Sequence, residues 1–259
     1  MTFTIIELIG GLWTNSLAIL SDALHDLGDS LALITALLGE RFSQKPANKR
    51  KTFGYKRYSL FSAFITASVL VIGSLIILAN TIPRLVNPEP VHSSGMMGLS
   101  ILGILFNGVA FFRLKTGQSL NEKVLSWHLL EDVLGWVVIL IGSIIIHFWN
   151  NPNIDPIMTI GFTIFILWGV IKNLREVFNI LLQGVPSTID IDDLKSDICS
   201  LQGVTDVHDI HVWSLDGESD IFTAHVVMDS LDDKKMQKVR LEIEPILKGH
   251  KIWHSTIEF

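Results

Sequence analysis

Residues 16–39 read SLAILSDALHDLGDSLALITALLG and residues 124–146 read VLSWHLLEDVLGWVVILIGSIII. Both have the length and apolar content of lipid-buried helices, and both carry the same polar pair, His25 with Asp29 and His128 with Asp132. An ionisable side chain near the bilayer centre costs about 2.5–3.5 kcal/mol on insertion scales. Four of them at a repeated spacing require a compensating partner. Residues four apart on a helix share a face, so each H-x-x-x-D offers one nitrogen and one oxygen in the same direction. Two such helices face to face assemble four ligands. Imidazole and carboxylate in a closed tetrahedron suit Zn²⁺, with Cd²⁺ and Co²⁺ as relatives. Two carboxylates against a divalent cation also leave no net charge. Interhelical polar contacts or a metal-free proton relay would draw on the same residue types. The doubled spacing and equal depth favour a metal site at His25, Asp29, His128 and Asp132.

The surrounding chain has the composition of a polytopic membrane protein with a soluble part. Of its 259 residues 49% are hydrophobic and only 18% charged, and its mean hydropathy is +0.44. Apolar runs at 17–39, 58–82, 95–112, 121–149 and 156–182 are mostly near the roughly 20 residues needed to cross a core of about 30 Å. The opening MTFTIIELIGGLW is apolar apart from Glu7 but short, and reads as a sixth span with its beginning missing. It lacks the basic n-region and small-residue cleavage site of a signal peptide.

Basic residues set the orientation. Arg41, Lys45, Lys49, Arg50, Lys51, Lys56 and Arg57 follow the second span, Arg113, Lys115 and Lys123 the fourth, and Lys172 and Arg175 the sixth. The opposite loops, around TNS, VNPEPVHSSG and NNPNIDP, carry almost none. The positive-inside rule then places both termini in the cytoplasm. Counting 1.5 Å per residue puts both H-x-x-x-D pairs near mid-depth.

After Gly184-Val185-Pro186 the composition changes: residues 185–259 hold 15 acidic and 7 basic residues, against 11 and 13 before them. This divides the chain into a transmembrane part, 1–184, and a soluble acidic domain, 185–259. The latter predicts a helix at 190–201, a strand at 204–214, a turn at Asp216-Gly217, a strand at 220–229, a helix at 231–247 and a strand at 251–258. That order fits an α+β, ferredoxin-like fold. If the hairpin turns at Asp216-Gly217, alternation places His208 and His225 on one face and His211 on the other. His208 with His225 would make a second, regulatory metal site, or two half-buried hydrogen-bonded histidines. The single cysteine, Cys199, excludes an intramolecular disulfide and a CxxC site, and is read as core packing. No nucleophilic triad, Walker sequence or Gly-rich phosphate loop appears, so the chain is not read as an enzyme. It has no basic-aromatic face for nucleic acid. Trp127 and Trp136, flanking the second pair, are expected to pack against neighbouring helices.

The motifs GGLWTNSLAILSDALHDLGD, TFGYKRYSLFSAF, HLLEDVLGW, HDIHVWSL, TAHVVM and HSTIEF together resemble the cation diffusion facilitator family of zinc-efflux transporters, over essentially the whole chain. The resemblance implies six transmembrane helices, a cytoplasmic ferredoxin-like domain, a homodimer, and export of a divalent cation in exchange for protons, in a bacterial inner membrane. Family transport ligands fall on His25, Asp29, His128 and Asp132, with histidine first in each pair as in zinc-type members. Cytoplasmic-domain ligands fall on His208 and His225, with a third near Glu258. Beyond the transported zinc and such a regulatory ion, no cofactor is implied. Arg57 matches a position that can tie the membrane domain to the C-terminal domain by a charge pair, and it reads equally as an ordinary positive-inside residue. The loop SQKPANKRKTFGYKRYS contains no His, Asp or Glu, so no metal site is expected there. A gated cation channel would also use intramembrane His and Asp, and a membrane-bound metal sensor would use the C-terminal histidines. The duplicated tetrad favours a carrier working by alternating access.

Overall fold

The structure, a computed structural model, describes residues 2–115, 120–230 and 232–259, without the side chains of 2, 40 and 120–124. The Lys123 side chain, used above for orientation, and Leu231, the expected start of the last helix, lie outside the described residues. Each apolar run is a helix. They are α1 (Thr2–Thr14), α2 (Leu17–Ser43), α3 (Tyr58–Val86), α4 (Ser93–Leu114), α5 (Leu120–Trp149) and α6 (Ile154–Leu181). By length and composition α3, α4, α5 from Leu125 and α6 can cross a membrane. α2 has 27 residues but interrupts its apolar run with Asp22, Asp26 and Asp29, and α1 has 13 residues.

Packing in the helical region is the reverse of that in a water-soluble protein. Leu33, Phe61, Ile76, Leu102, Phe148 and Trp168 are exposed, a surface that water would not tolerate at this extent and that lipid tails satisfy. Inside lie Ser100, Ser143, Thr159 and Thr163. Their hydroxyls donate to carbonyls one turn back, Ser100 to Met96 at 2.7 Å and Thr159 to Asp155 at 2.7 Å, so these hydroxyls need no water. α4 and α5 approach closely because Gly103 on α4 has no side chain. A Cβ there would lie 2.3 Å from the Trp136 indole, and Trp136 is buried with Phe3, Met96 and Ile139. Trp127 departs from expectation: it is 67% exposed and faces outward, with no part in the packing that holds Trp136.

The C-terminal elements are α7 (Ile191–Cys199), β1 (Val204–Ser214), β2 (Asp220–Met228), α8 (Asp233–Gly249) and β3 (Ile252–Glu258), within two residues of the expected bounds. Asp190 caps α7 by accepting from the N–H groups of Asp192 and Asp193. The sheet has the order β1-β2-β3, with β1–β2 antiparallel and β2–β3 parallel, the second connection requiring the α8 crossover. Leu194 and Ile198 of α7 and Val239, Ile243 and Leu247 of α8 pack on Val207, Phe222, Ala224 and Val226 of the sheet. Cys199 packs against this cluster, as expected.

Contacts divide the chain into two compact units, residues 1–34 with 65–172, and residues 35–64 with 173–259. The second unit thus adds the ends of α2, α3 and α6 and the basic loop to the sheet domain, where composition alone puts a boundary after residue 184.

Gly103→Ala should destabilise the helical unit by about 1–3 kcal/mol, the usual cost of overpacking, because the buried Trp136 has nowhere to move. Gly98→Ala on the same helix meets nothing within 4 Å and is the control. Thermal unfolding in detergent should separate the two; equal melting temperatures would refute this account of the α4–α5 approach.

Candidate metal centre

The two H-x-x-x-D pairs meet. His128 Nε2 on α5 lies 2.9 Å from Asp29 Oδ2 on α2. Within the pairs, His25 Nε2 is 3.8 Å from Asp29 Oδ2, and His128 Nε2 is 3.9 Å from Asp132 Oδ2. The two imidazoles stand edge to face with centroids 5.9 Å apart. A tetrahedral zinc with bonds of about 2.0–2.1 Å sets its ligands about 3.4 Å apart, and the observed separations bracket that figure. His25, Asp29 and His128 each offer a ligand atom within 4.8 Å of the others. Asp132 stands at the edge of this group, one helical turn from His128. Nδ1 of His25 is buried without a hydrogen-bond partner.

More acid surrounds these residues than sequence reading singled out. A cavity of about 280 Å³ is lined by Asp22 and His25 of α2, Glu131 and Asp132 of α5, and Phe162, Phe165 and Ile166 of α6. Glu7 of α1 is fully buried, and neither of its carboxyl oxygens has a hydrogen-bond partner. It interacts electrostatically with Asp22, Asp26 and Asp132. The signal was present, since Asp22, Asp26 and Asp29 recur at three to four residues within an apolar helix and therefore share a face.

In the sheet domain, His208 pairs with His225 and His225 with Glu258, so the three sequence-selected residues form one row across β1, β2 and β3. The His208 and His225 rings are 5.3 Å apart, and His225 Nε2 is 3.5 Å from Glu258 Oε2. His211 corrects an expectation. The β1–β2 register shifts between His208 and His211, with Asp209 at φ 52°. This bulge inserts one residue and reverses the alternation: Val207 and Val212, five apart, are both buried in the core, while His208 and His211 are both exposed. His211 therefore shares the outer face. Asp209 joins the group, 3.1 Å from His211 Nε2 and 3.6 Å from His225 Nε2.

The charge pair expected of Arg57 is made by its neighbour. Lys56 Nζ lies 3.7 Å from Asp216 Oδ2 in the β1–β2 turn, donates to Ser219 Oγ, and sits 4.5 Å above the Trp253 ring of β3. Phe53 packs edge to face on His254 at 5.8 Å. The basic loop is thereby fastened to the sheet domain within one compact unit.

Residues 1–182 match the family profile described as the cation efflux transmembrane domain, and residues 186–258 that of the cation efflux protein cytoplasmic domain. The cadmium, cobalt and zinc/H(+)-K(+) antiporter of Bacillus subtilis is 34% identical over 99% of this chain and 84% of its own length. The metal cation efflux system protein CzcD of Cupriavidus metallidurans is 34% identical over 100% and 82%. The zinc transporter ZitB of Escherichia coli is 35% identical over 99% and 82%.

Lys56→Glu sets a carboxylate opposite Asp216 and should release the loop, at a cost of about 1 kcal/mol for a partly buried ion pair with one further hydrogen bond. Limited chymotrypsin digestion at Phe53, Tyr55 and Tyr58 should then quicken, and adding Asp216→Lys should slow it again. Identical digestion of wild type and Lys56→Glu would exclude the clasp.

Proposed function

Because the chain belongs to the cation efflux family, we propose that it is a secondary transporter exporting divalent cations, Zn²⁺ first with Cd²⁺ and Co²⁺ as alternatives, from the cytoplasm in exchange for protons. The observation that supports it is the approach of His25 and Asp29 of α2 and His128 of α5 to within 4.8 Å of one another, with Asp132 3.9 Å from His128. His25, Asp29, His128 and Asp132 are the transport ligands. Their nitrogen and oxygen donors suit a borderline cation, and the two carboxylates cancel its charge, so the loaded site carries little electrostatic cost across the membrane. Left empty, the same carboxylates are expensive in a low-dielectric interior. Protons that replace the departing metal remove that cost, which couples cation export to proton entry. His208, His225 and Glu258 would hold a regulatory ion in the sheet domain, with Asp209 and His211 beside them. The protein works as a homodimer in a bacterial inner membrane with the sheet domain in the cytoplasm.

Asp29→Ala and Asp132→Ala each leave three ligands and should reduce Zn²⁺ transport by purified protein in vesicles to that of protein-free vesicles, with elution and melting in detergent unchanged. Full transport by both variants would remove the tetrad from the mechanism.

An imposed ΔpH at clamped voltage should drive Zn²⁺ against its own gradient, in a direction set by the sign of ΔpH. Metal affinity should fall as pH drops, because protons compete with the cation for the ligand nitrogens and oxygens. Accumulation that never exceeds equilibrium with the bath would indicate a channel instead.

A further inference from the structure

Residues 41–57, which join the last turn of α2 to the start of α3, hold seven basic side chains and no acidic one. They share a compact unit with the acid-rich sheet domain. Among the described residues, however, only Lys56 of this segment forms an ion pair, with Asp216. Arg41, Lys45, Lys49, Arg50 and Lys51 are exposed, and no carboxylate answers them. Lysines of the sheet domain behave otherwise: Lys195, Lys235, Lys238 and Lys248 each reach an Asp or Glu of their own domain.

The loop holds these charges in place. Asn48 Oδ1 accepts from the N–H groups of Arg50 and Lys51 at 2.9 and 3.0 Å, so Lys49 and Arg50 form the tip of a tight turn. Lys51 Nζ donates to Tyr58 Oη at 2.8 Å and lies 4.5 and 4.4 Å from the ring centres of Tyr55 and Tyr58. Lys45 Nζ lies 4.4 Å from the centre of the Phe42 ring, which stacks on Tyr58 with centroids 6.0 Å apart. Phe42 is in the last turn of α2 and Tyr58 opens α3. Two ammonium groups are thereby pinned where membrane helices end, and aromatic rings beside basic side chains at helix ends belong to headgroup depth.

The sheet domain matches a cytoplasmic-domain profile, which puts the loop in its unit on the cytoplasmic side. That leaflet carries anionic lipid, and a cluster of roughly four to eight Lys and Arg beside a span is drawn to it. We propose that Arg41, Lys45, Lys49, Arg50 and Lys51 form a docking surface for the anionic phospholipid headgroups of the cytoplasmic leaflet. Charge complementarity selects this partner, since the acid of the sheet domain lies in the same unit and leaves these five residues unpaired. The same loop grips the sheet domain through Lys56 and Phe53, so the segment ties that domain to the membrane surface. The inference needs only the membrane placement of the chain and is independent of the metal tetrad.

The test compares the full chain in bilayer discs of phosphatidylcholine with the same chain in discs of equal parts phosphatidylcholine and phosphatidylglycerol. A neutral acylating reagent should modify Lys45 and Lys49 about threefold more slowly, or slower still, when phosphatidylglycerol is present, and high salt should remove the protection. Lys235, Lys238 and Lys248 should react at unchanged rates. Equal rates at Lys45 and Lys49 in both discs would overturn the proposal. A second measurement counts the lipid that copurifies from mixed vesicles. Lys45→Gln with Lys49→Gln and Arg50→Gln should cut the enrichment of phosphatidylglycerol by about threefold or more. Lys235→Gln with Lys238→Gln and Lys248→Gln removes as much charge and should leave the enrichment unchanged. Equal loss in both triple variants would make enrichment an effect of net charge and overturn the surface. Enrichment kept in the loop variant while its dimer dissociates would give the face to the acidic domain of a second copy. Enrichment kept while binding of a single-stranded RNA is lost would give it to nucleic acid, and either result overturns the proposal. Acylation uses the unaltered chain, so it decides even if the loop variant does not fold.

Discussion

Ionisable groups inside a bilayer have to find partners within the protein, since no water is there to take them. That constraint decides which helices touch. α2 carries three aspartates and a histidine through a region otherwise made of Leu, Ala and Ile, and its contacts reach other helices: Asp29 to His128 of α5, the His25 ring edge to face with the His128 ring, Asp22 to the cavity shared with α5 and α6, and the amino end to Asp155 of α6. The apolar faces are left for lipid.

Much of this was legible in the sequence. Four-residue spacing predicted that His25 with Asp29 and His128 with Asp132 would each share a face, and the partners lie 3.8 and 3.9 Å apart within the pairs, with His128 2.9 Å from Asp29. The strand and helix bounds of the sheet domain followed from alternation, capping and the Asp216-Gly217 turn. His208, His225 and Glu258 came into one row because strand pairing aligned them. The comparisons with relatives support the family assigned from the motifs.

The failures share a cause, which is that neighbours in space cannot be read from neighbours in sequence. Trp127 and Trp136 are both apolar aromatics on α5, and only the position of α4 determines that one is buried and the other faces out. Lys56 and Arg57 are interchangeable by charge, and the direction of each side chain at the end of the loop gives the ion pair to Lys56. Asp155 reads as an ordinary acidic residue near a helix start, a place such residues favour for their own helix. Its service to α2 needs the third dimension.

The bulge at Asp209 has a consequence of another kind. β1 changes frame at residue 209, as it also does between Val204 and Asp206, and the stretches on either side of 209 each send a valine inward. Side chains can be exchanged at many positions of this strand with local effect. Removing the one extra residue at the bulge would join the frames into a regular ladder with β2, still with Val207 and Val212 inward and His208 and His211 outward, and would take away the carboxylate that Asp209 sets beside His211 and His225. The extra residue therefore serves the outward-facing row of histidines and not the core.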